Sequence, residues 1–165
     1  MRAANKRAKK EPMKFSGELT VQAPREKVFA ALCDARFFAS CVEGVHELQE
    51  TAPDSYAATF ETKVAYMKFS FKVKVEIVHA EPSHLIEAKA EGTPLGIVGR
   101  LAAISRTTLT EHGGCTKIAY AVDATLTGKL GSLGQPVLRA KAKDMERQFA
   151  ARLAASFAPP AAPPP

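Results

Sequence analysis

Two groups of residues in this sequence have side chains that could hold a metal ion. His79 and His84 lie five residues apart on either side of a proline turn, and Cys33, Cys41 and His46 form a second, irregularly spaced group. A tetrahedral zinc site needs four ligands, and no further cysteine or acidic pair completes either group. The pattern therefore favours solvent-facing turn histidines and small, buried or half-buried cysteines over a metal site.

Signatures of nucleotide binding and of nucleophilic catalysis are also missing. A phosphate-binding loop at Lys129 would need glycine at 123 and serine or threonine at 130, where the chain has Asp123 and Leu130. Neither an HExxH zinc motif nor a GxSxG elbow is present. The glycine-containing segment 92–96 does not fit a dinucleotide fingerprint and is either a plain loop between strands or a gate beside a ligand site. We expect no catalytic residues and no enzymatic activity.

Length and charge limit the class of protein. The 165 residues suffice for one domain, 46% are apolar, and no apolar run is long enough to predict a transmembrane helix. The net charge is +6, of which +4 lies in residues 1–12. The remainder is nearly neutral and has no predicted basic face for nucleic acid, so we expect no nucleic-acid partner.

Both ends of the chain differ in composition from the middle. The segment 158–165 reads APPAAPPP, which favours extended chain over helix. We therefore predict a basic N-terminal tail (1–12), one domain (13–157) and a proline-rich C-terminal tail (158–165). Three cysteines without a disulfide spacing indicate a reducing, cytoplasmic compartment.

Alternation of apolar and polar residues predicts a largely antiparallel sheet. The predicted strands are 15–22, 45–51, 56–66, 69–77, 85–91, 98–110 and 116–126. Four acidic residues in these strands (Glu61, Glu76, Glu87 and Glu91) fall on the polar face, so no acid–base pair is expected to face inward.

The period changes to that of a helix in two places. Two short helices follow the first strand, and a long helix is predicted over 132–155. Its apolar stripe consists of Leu133, Val137, Met145, Phe149 and Leu153. Because the sheet has one polar face, the long helix must cover the other. The sequence thus predicts an α+β fold in which a curved sheet of six to seven strands wraps around a long C-terminal helix.

This order of elements resembles the helix-grip fold of the START and birch-pollen-allergen (Bet v 1-like, SRPBCC) superfamily. Local motifs resemble the CoxG family of carbon monoxide dehydrogenase subunits over residues 13–157, although Glu43 stands where that family usually has proline. The motifs are MKFSGELTV (13–21), APREKVFAALCD (23–34), CVEGV (41–45), GCTKIAYAVDA (114–124) and GKLGSLGQPVL (128–138).

The resemblance implies a non-enzymatic carrier with an apolar cavity for a hydrophobic ligand. In this family the implied ligand is a respiratory quinone, menaquinone or ubiquinone. The implied partner is a molybdenum hydroxylase of the CO dehydrogenase type, met peripherally at the inner face of the cytoplasmic membrane. One alternative is an assembly or membrane-recruitment factor without ligand carriage. Another is a small cyclase or hydrolase of the same fold.

Inward-facing residues of the predicted sheet and helix are the candidate cavity residues. They are Phe60, Tyr66, Phe69, Phe71, Ala88, Ala90, Ala103, Ser105, Thr107, Tyr120 and Phe149. The small ones either pack against the helix or leave space for an apolar ligand. In the second case Tyr66, Ser105, Thr107 and Tyr120 would contact a quinone head group.

Basic side chains provide candidate contacts to anionic lipid. They are Lys68, Lys72, Lys74, Arg139, Lys141 and Lys143, together with the N-terminal cluster. For any one of them the alternative is a simple solvated surface.

Overall fold

The structure is a computed structural model that describes residues 10–157. Seven strands form one antiparallel sheet. They are Lys10–Val21 (β1), Val45–Ala52 (β2), Ser55–Val64 (β3), Met67–Glu81 (β4), Leu85–Pro94 (β5), Gly99–His112 (β6) and Cys115–Gly128 (β7). Three α-helices accompany them: Arg25–Cys33 (α1), Ala35–Ser40 (α2) and Gln135–Phe157 (α3). The predicted architecture is confirmed.

The strand order is β1-β7-β6-β5-β4-β3-β2, so β2 to β7 form a continuous meander and β1 pairs beside β7. Short turns join neighbouring strands. At the β6–β7 turn, Gly113 and Gly114 have φ angles of +58° and +82°. This left-handed backbone suits a tight hairpin and favours glycine. The meander therefore follows directly from the turn residues and the period-two strands.

Strand β1 begins earlier than the sequence predicted. Lys10, Glu11 and Pro12 pair with residues 127, 126 and 125 of β7. The strand thus extends three residues into the segment predicted as a basic tail, because pairing with β7 continues where the sequence shows charged residues instead of an alternating pattern. Residues 1–9 and the predicted tail 158–165 lie outside the described residues.

The long helix begins later than predicted. Gly131–Leu133 form a short 3-10 turn, and Gly134, with a φ angle of +89°, separates that turn from α3. Leu133 therefore precedes α3, while Leu138 supplies a buried position that the predicted stripe left out. At the other end of α3, Leu153 is completely buried, as the stripe predicted.

Two separate groups of buried residues form the core. Cluster one consists of Met13, Val64, Phe69, Phe71, Ala124, Leu126, Leu130 and Leu138. Cluster two consists of Val21, Ala23, Val28, Leu109, Ile118 and Leu153. Helix α3 contributes to both through Leu138 and Leu153, whose positions are about 22 Å apart along an ideal helix axis. The sheet between the clusters is covered less tightly.

Candidate functional site

A band of half-buried residues lies on the inner face of the sheet between the two clusters. We call it the middle band; its members are Val75, Ile77, Ala88, Ala90, Ser105, Thr107, Tyr120 and Val122. Cross-strand register brings them together across four adjacent strands. Among the described residues, none of these eight belongs to cluster one or cluster two or is packed against either.

The strand period explains why this band faces the helix. In β5 and β6, Ala88 opposes Ser105 and Ala90 opposes Ala103, so their side chains share one face. On the neighbouring strand, Val75 opposes Ala90. Alanine and serine side chains are short, so they do not fill the space between sheet and helix that leucine or phenylalanine fills within the clusters.

Three hydroxyl groups provide polarity in the otherwise apolar middle band. Ser105 donates a long hydrogen bond of 3.5 Å to the Ala88 carbonyl oxygen. Within residues 10–157, the hydroxyls of Thr107 and Tyr120 make no protein hydrogen bond, and neither is a buried unpaired atom. Both hydroxyls are therefore free to donate to, or accept from, a bound molecule.

A glycine on β1 determines where the Tyr120 hydroxyl lies. Gly17 is the cross-strand partner of Tyr120. A Cβ placed on Gly17 would lie 2.5 Å from both the Tyr120 hydroxyl and the Glu146 carboxylate. The phenol ring therefore uses the space left by the missing side chain, and its polar end points to the seam between β1 and α3.

Charged residues of the sheet lie on the opposite, convex face. Glu87 pairs with Arg106 at 2.8 Å, Glu91 with Arg100 at 2.9 Å and Glu76 with Lys89 at 3.7 Å. Glu61 accepts a 3.3 Å hydrogen bond from Ser70. The predicted outward position of the four glutamates is confirmed, and the middle band contains no charged side chain.

Four of the predicted cavity residues belong to the cluster-one end of the core. Phe69 and Phe71 are only 4% and 5% exposed and form part of cluster one. Phe60 and Ala103 are half-buried and pack against it, and the rings of Phe60 and Phe71 stack with centroids 6.0 Å apart. These residues border the middle band and close one end of it.

Two further predicted residues lie elsewhere. Phe149 packs against cluster two, where its ring meets that of Phe38 at 5.0 Å. Tyr66 is 98% exposed in the turn between β3 and β4. Its prediction as a cavity residue is wrong, because the strand alternation that suggested it stops at Val64. Only Ala88, Ala90, Ser105, Thr107 and Tyr120 of the predicted set belong to the middle band.

Four positions at this site were not among the predicted cavity residues. Val75, Ile77 and Val122 were predicted to face inward but were not chosen as cavity residues, and Gly17 has the same parity as Phe15 and Leu19 on β1. Parity therefore indicates which residues face inward, but not which of them line a site. The sequence does not show that other inward residues pack tightly while these four positions border a less tightly covered part of the sheet.

The predicted loop 92–96 is shorter than expected. Gly92 and Pro94 are buried at the end of β5, where Gly92 pairs with Val73 and Leu101. The connection between β5 and β6 is therefore only residues 95–98. A Cβ at position 92 would lie 3.6–3.7 Å from side-chain atoms of Leu101 and Phe71, which is ordinary van der Waals contact, so the strand has room for a small side chain there.

The candidate metal ligands do not converge. Among the residues that the structure describes, no group of three histidine, cysteine or acidic side chains could hold a metal ion. His79 and His84 are exposed, and all three cysteines are free, with Cys41 buried and Cys33 and Cys115 half-buried. Burial, with a smaller contribution from the Asp54 carboxylate, raises the pKa of the Cys33 thiol.

The predicted lipid-binding lysines and arginine do not share one surface. Lys72 and Lys74 are exposed on the convex side of β4. Arg139 on α3 instead donates to the Lys14 carbonyl oxygen at 3.2 Å, with its guanidinium 5.5 Å from the Phe15 ring centroid. Arg139 therefore fastens α3 to β1.

Two open depressions flank these regions. One, of about 360 Å³, is lined mostly by convex-face residues such as Lys74 and Glu91, with Val75 as its single middle-band residue. The other, of about 310 Å³, lies between the β3–β4 hairpin and α3 and includes Lys68, Lys141 and Asp144. Their charged linings differ from the apolar cavity that the sequence predicted.

Comparison with protein families gives a match over most of the chain. The model of the CoxG family, described as a subunit of carbon monoxide dehydrogenase, matches residues 17–158. No curated protein sequence matches the chain significantly.

Solved structures of the same fold are more distant in sequence. A conserved protein from Geobacillus kaustophilus has 22% identity and a TM-score of 0.81, covering 88% of this chain and 95% of that one. The aromatase/cyclase ZhuI from a Streptomyces species has 16% identity and a TM-score of 0.65, with coverages of 89% and 94%. Ara h 8.0201 has 15% identity and a TM-score of 0.63, with coverages of 89% and 98%. These similarities establish a Bet v 1-like helix-grip fold.

Proposed function

Because the chain belongs to the CoxG family of carbon monoxide dehydrogenase subunits, we propose that it carries a hydrophobic molecule for a CO-dehydrogenase-type enzyme. The proposed ligand is a respiratory quinone, menaquinone or ubiquinone, and the proposed place of exchange is the membrane. The proposed binding site is the middle band. The observation that carries this proposal is the band of half-buried, mainly apolar residues between two tightly packed clusters.

The chemistry of the middle band suits a quinone. Its surface is mainly alanine, valine and isoleucine, which favours an uncharged, apolar tail. The free hydroxyl of Thr107 can donate to a quinone carbonyl oxygen, whereas the Tyr120 hydroxyl points to the seam between β1 and α3. Carboxylates of the sheet are paired on the convex face, so a neutral ligand entering the band meets no buried charge.

A carrier function needs none of the covalent chemistry that cyclases of this fold perform. No member of the middle band is charged, so Ser105 and Thr107 have no charged base within the band; the Tyr120 hydroxyl instead lies near the Glu146 carboxylate at the β1–α3 seam. Positioning a ligand and shielding it from water are what such an arrangement can provide. The proposed role is therefore binding and transfer, with the oxidation and reduction left to the partner enzyme.

Organic extraction of protein purified from a quinone-producing host tests the ligand. Mass spectrometry is expected to detect a quinone in extracts of the wild type and of Ala102→Phe, a control on the exposed outer face. The inward substitution Ala88→Phe is expected to abolish it. Absence of quinone from the wild type, together with no binding of added quinone analogues, would contradict ligand carriage.

The same variants separate carriage from recruitment of the enzyme. A molybdenum hydroxylase of the CO dehydrogenase type is expected to co-purify with the wild type and with Ala88→Phe. If recruitment alone is the function, Ala88→Phe also supports electron transfer from that enzyme to the respiratory chain at the wild-type rate. If carriage is required, Ala88→Phe supports recruitment but not electron transfer.

A further inference from the structure

One end of the molecule carries most of its exposed large apolar side chains. Tyr66 in the β3–β4 turn is 98% exposed, and in the β5–β6 loop Leu95, Ile97 and Val98 are 49%, 37% and 85% exposed. We call this surface the loop end. Across the described residues only three other large apolar side chains are exposed, and they are scattered (Phe38, Val78 and Ile104). The three loop residues lie within four positions of one another, and grouped exposed apolar side chains of this kind mark an interaction surface.

Hydrogen bonds hold the segments of the loop end side by side. The Leu95 amide donates to the Ser70 carbonyl oxygen at 2.8 Å, which joins the β5–β6 loop to the start of β4. The Lys129 amide donates to the Val98 carbonyl oxygen at 3.0 Å, which joins the same loop to the chain entering α3. A Cβ on Gly96 would meet no atom within 4 Å, so this loop projects into open space.

Lysines surround the apolar groups. Lys63 and Lys68 are cross-strand partners beside the β3–β4 turn, and Lys129 lies beside Val98. All three are exposed, and within residues 10–157 none forms an ion pair, whereas Lys14, Lys89 and Lys117 each pair with an acid. Two like charges placed directly opposite on a strand pair are unfavourable unless an anion compensates them.

The opposite end of the sheet has no comparable group of exposed apolar side chains within residues 10–157. Its turns contain Asp54, Glu81 and Glu111, but His84 and His112 lie beside them and α1 begins there with basic residues. The loop end is therefore distinguished by its exposed apolar side chains, with unpaired lysines beside them. An apolar group at one end only favours one orientation on a surface that accepts it.

We propose that the loop end docks on an anionic lipid bilayer. Tyr66 would lie at the headgroup level, where amphipathic aromatic rings concentrate, while Leu95 and Val98 enter the boundary of the acyl chains. Lys63, Lys68 and Lys129 would meet lipid phosphates. The inference rests on the membrane contact in the proposed function but not on ligand carriage.

The β3–β4 and β5–β6 connections also cap cluster one, which borders the middle band. Val64 and Met67 flank the Tyr66 turn. Val64 is a member of cluster one, and Met67 packs against that cluster. With the loop end docked, cluster one would therefore be the part of the core nearest to the lipid, and the middle band would come next. The opposite end of the sheet would face the aqueous phase.

A tryptophan reporter tests the depth of the loop end, because the chain contains no tryptophan. In the full-length chain, Tyr66→Trp is expected to show a blue-shifted emission when vesicles of equal parts phosphatidylcholine and phosphatidylglycerol are added. Brominated acyl chains are expected to quench it. Ile104→Trp, at a position 63% exposed on the convex face, is the matched control and is expected to show neither effect. Equal quenching of both reporters, or of neither, would overturn the proposal.

Vesicle co-sedimentation tests the separate contributions of charge and apolar contact. Lys63→Glu/Lys68→Glu is expected to weaken binding to phosphatidylglycerol vesicles at least fivefold per residue, roughly the effect of one basic residue at such a surface. The control Lys72→Glu/Lys74→Glu makes the same charge change on the convex face and is expected to weaken binding less. Val98→Asp is expected to weaken it about tenfold.

The basic N-terminal residues are present in every variant, so their contribution cancels in these comparisons. Equal losses for the two lysine pairs would overturn the proposal, since they would show that only net charge matters. Absence of any vesicle binding would also overturn it and would leave a protein partner as the occupant of the loop end. Neither result alters the extraction experiment, so failure of docking is distinguishable from failure of ligand carriage.

Discussion

The substitution Ala90→Leu tests directly whether the middle band has room for a ligand. Ala90 is half-buried between Val75 and Ala103 in the strand register. The matched substitution is Ala124→Leu, on the same face of the same sheet, where the alanine is 8% exposed and belongs to cluster one. Both changes add the same atoms to a β-strand, so they differ only in their surroundings.

The expected energies have opposite signs. Leucine adds three carbon atoms to alanine, and each buried methylene contributes about 0.8 kcal/mol, so filling empty space at position 90 can stabilise the fold by up to about 2 kcal/mol. Overpacking a filled core costs about 1–3 kcal/mol. We therefore expect Ala90→Leu to be neutral or stabilising and Ala124→Leu to lower the free energy of unfolding.

Urea unfolding followed by circular dichroism measures both variants against the wild type. The slope of the free energy with urea should stay constant, so that the midpoint reports stability. Affinity for a quinone analogue is expected to fall about tenfold in Ala90→Leu, which corresponds to about 1.4 kcal/mol of lost contacts. If Ala90→Leu destabilises the fold as much as Ala124→Leu, the middle band is packed and the reasoning is refuted.

Three further predictions concern residues outside the middle band. Thr116 is fully buried and donates a 2.7 Å hydrogen bond to the Ala23 carbonyl oxygen, so Thr116→Val should lower the free energy of unfolding by about 1–3 kcal/mol in urea melts. Gly44 has a φ angle of +94° and its Cβ would collide with a β3 carbonyl group, so Gly44→Ala should cost at least about 2 kcal/mol. Burial and the Asp54 carboxylate raise the pKa of Cys33, so Asp54→Asn should lower that pKa and accelerate alkylation of Cys33 by iodoacetamide near pH 8.

Each of these predictions has a control within the chain. Thr110→Val, at an exposed position, should change stability by less than about 0.5 kcal/mol. Gly96→Ala shares a positive φ of +80° but meets open space, so it should cost only about 1 kcal/mol. Peptide mapping of Cys115 in the same samples provides the reference rate for alkylation. Equal losses within either stability pair, or an unchanged rate at Cys33, would contradict the corresponding explanation.

The strands and their inward faces were predictable because the information is local. A strand places successive side chains on opposite faces, so the pattern from Phe69 to Ile77 determined which residues face α3. The order of these elements indicated the fold, and the local motifs indicated the family. The start of β1 was not predictable in this way, because Lys10–Pro12 are held by pairing with β7 and not by their own composition.

The site was predicted in part. Five of the proposed cavity residues are in the middle band, because inward parity and small size are both visible in the sequence. Phe69, Phe71 and Phe149 have inward parity too, yet they pack within or against the two clusters. Tyr66 was misplaced because it lies in the two-residue turn, residues 65–66, where the alternation of β3 has already ended.

The sequence by itself determined the secondary structure, the polar and apolar faces of the sheet, and the family. Only the tertiary structure decided where α3 lies along that sheet, and hence which inward residues are packed and which remain half-buried. Burial depends on neighbours distant in sequence, such as Leu138 beside Met13 and Leu153 beside Val21. The loop end has the same origin, since hydrogen bonds from Leu95 and Lys129 bring its separate segments together.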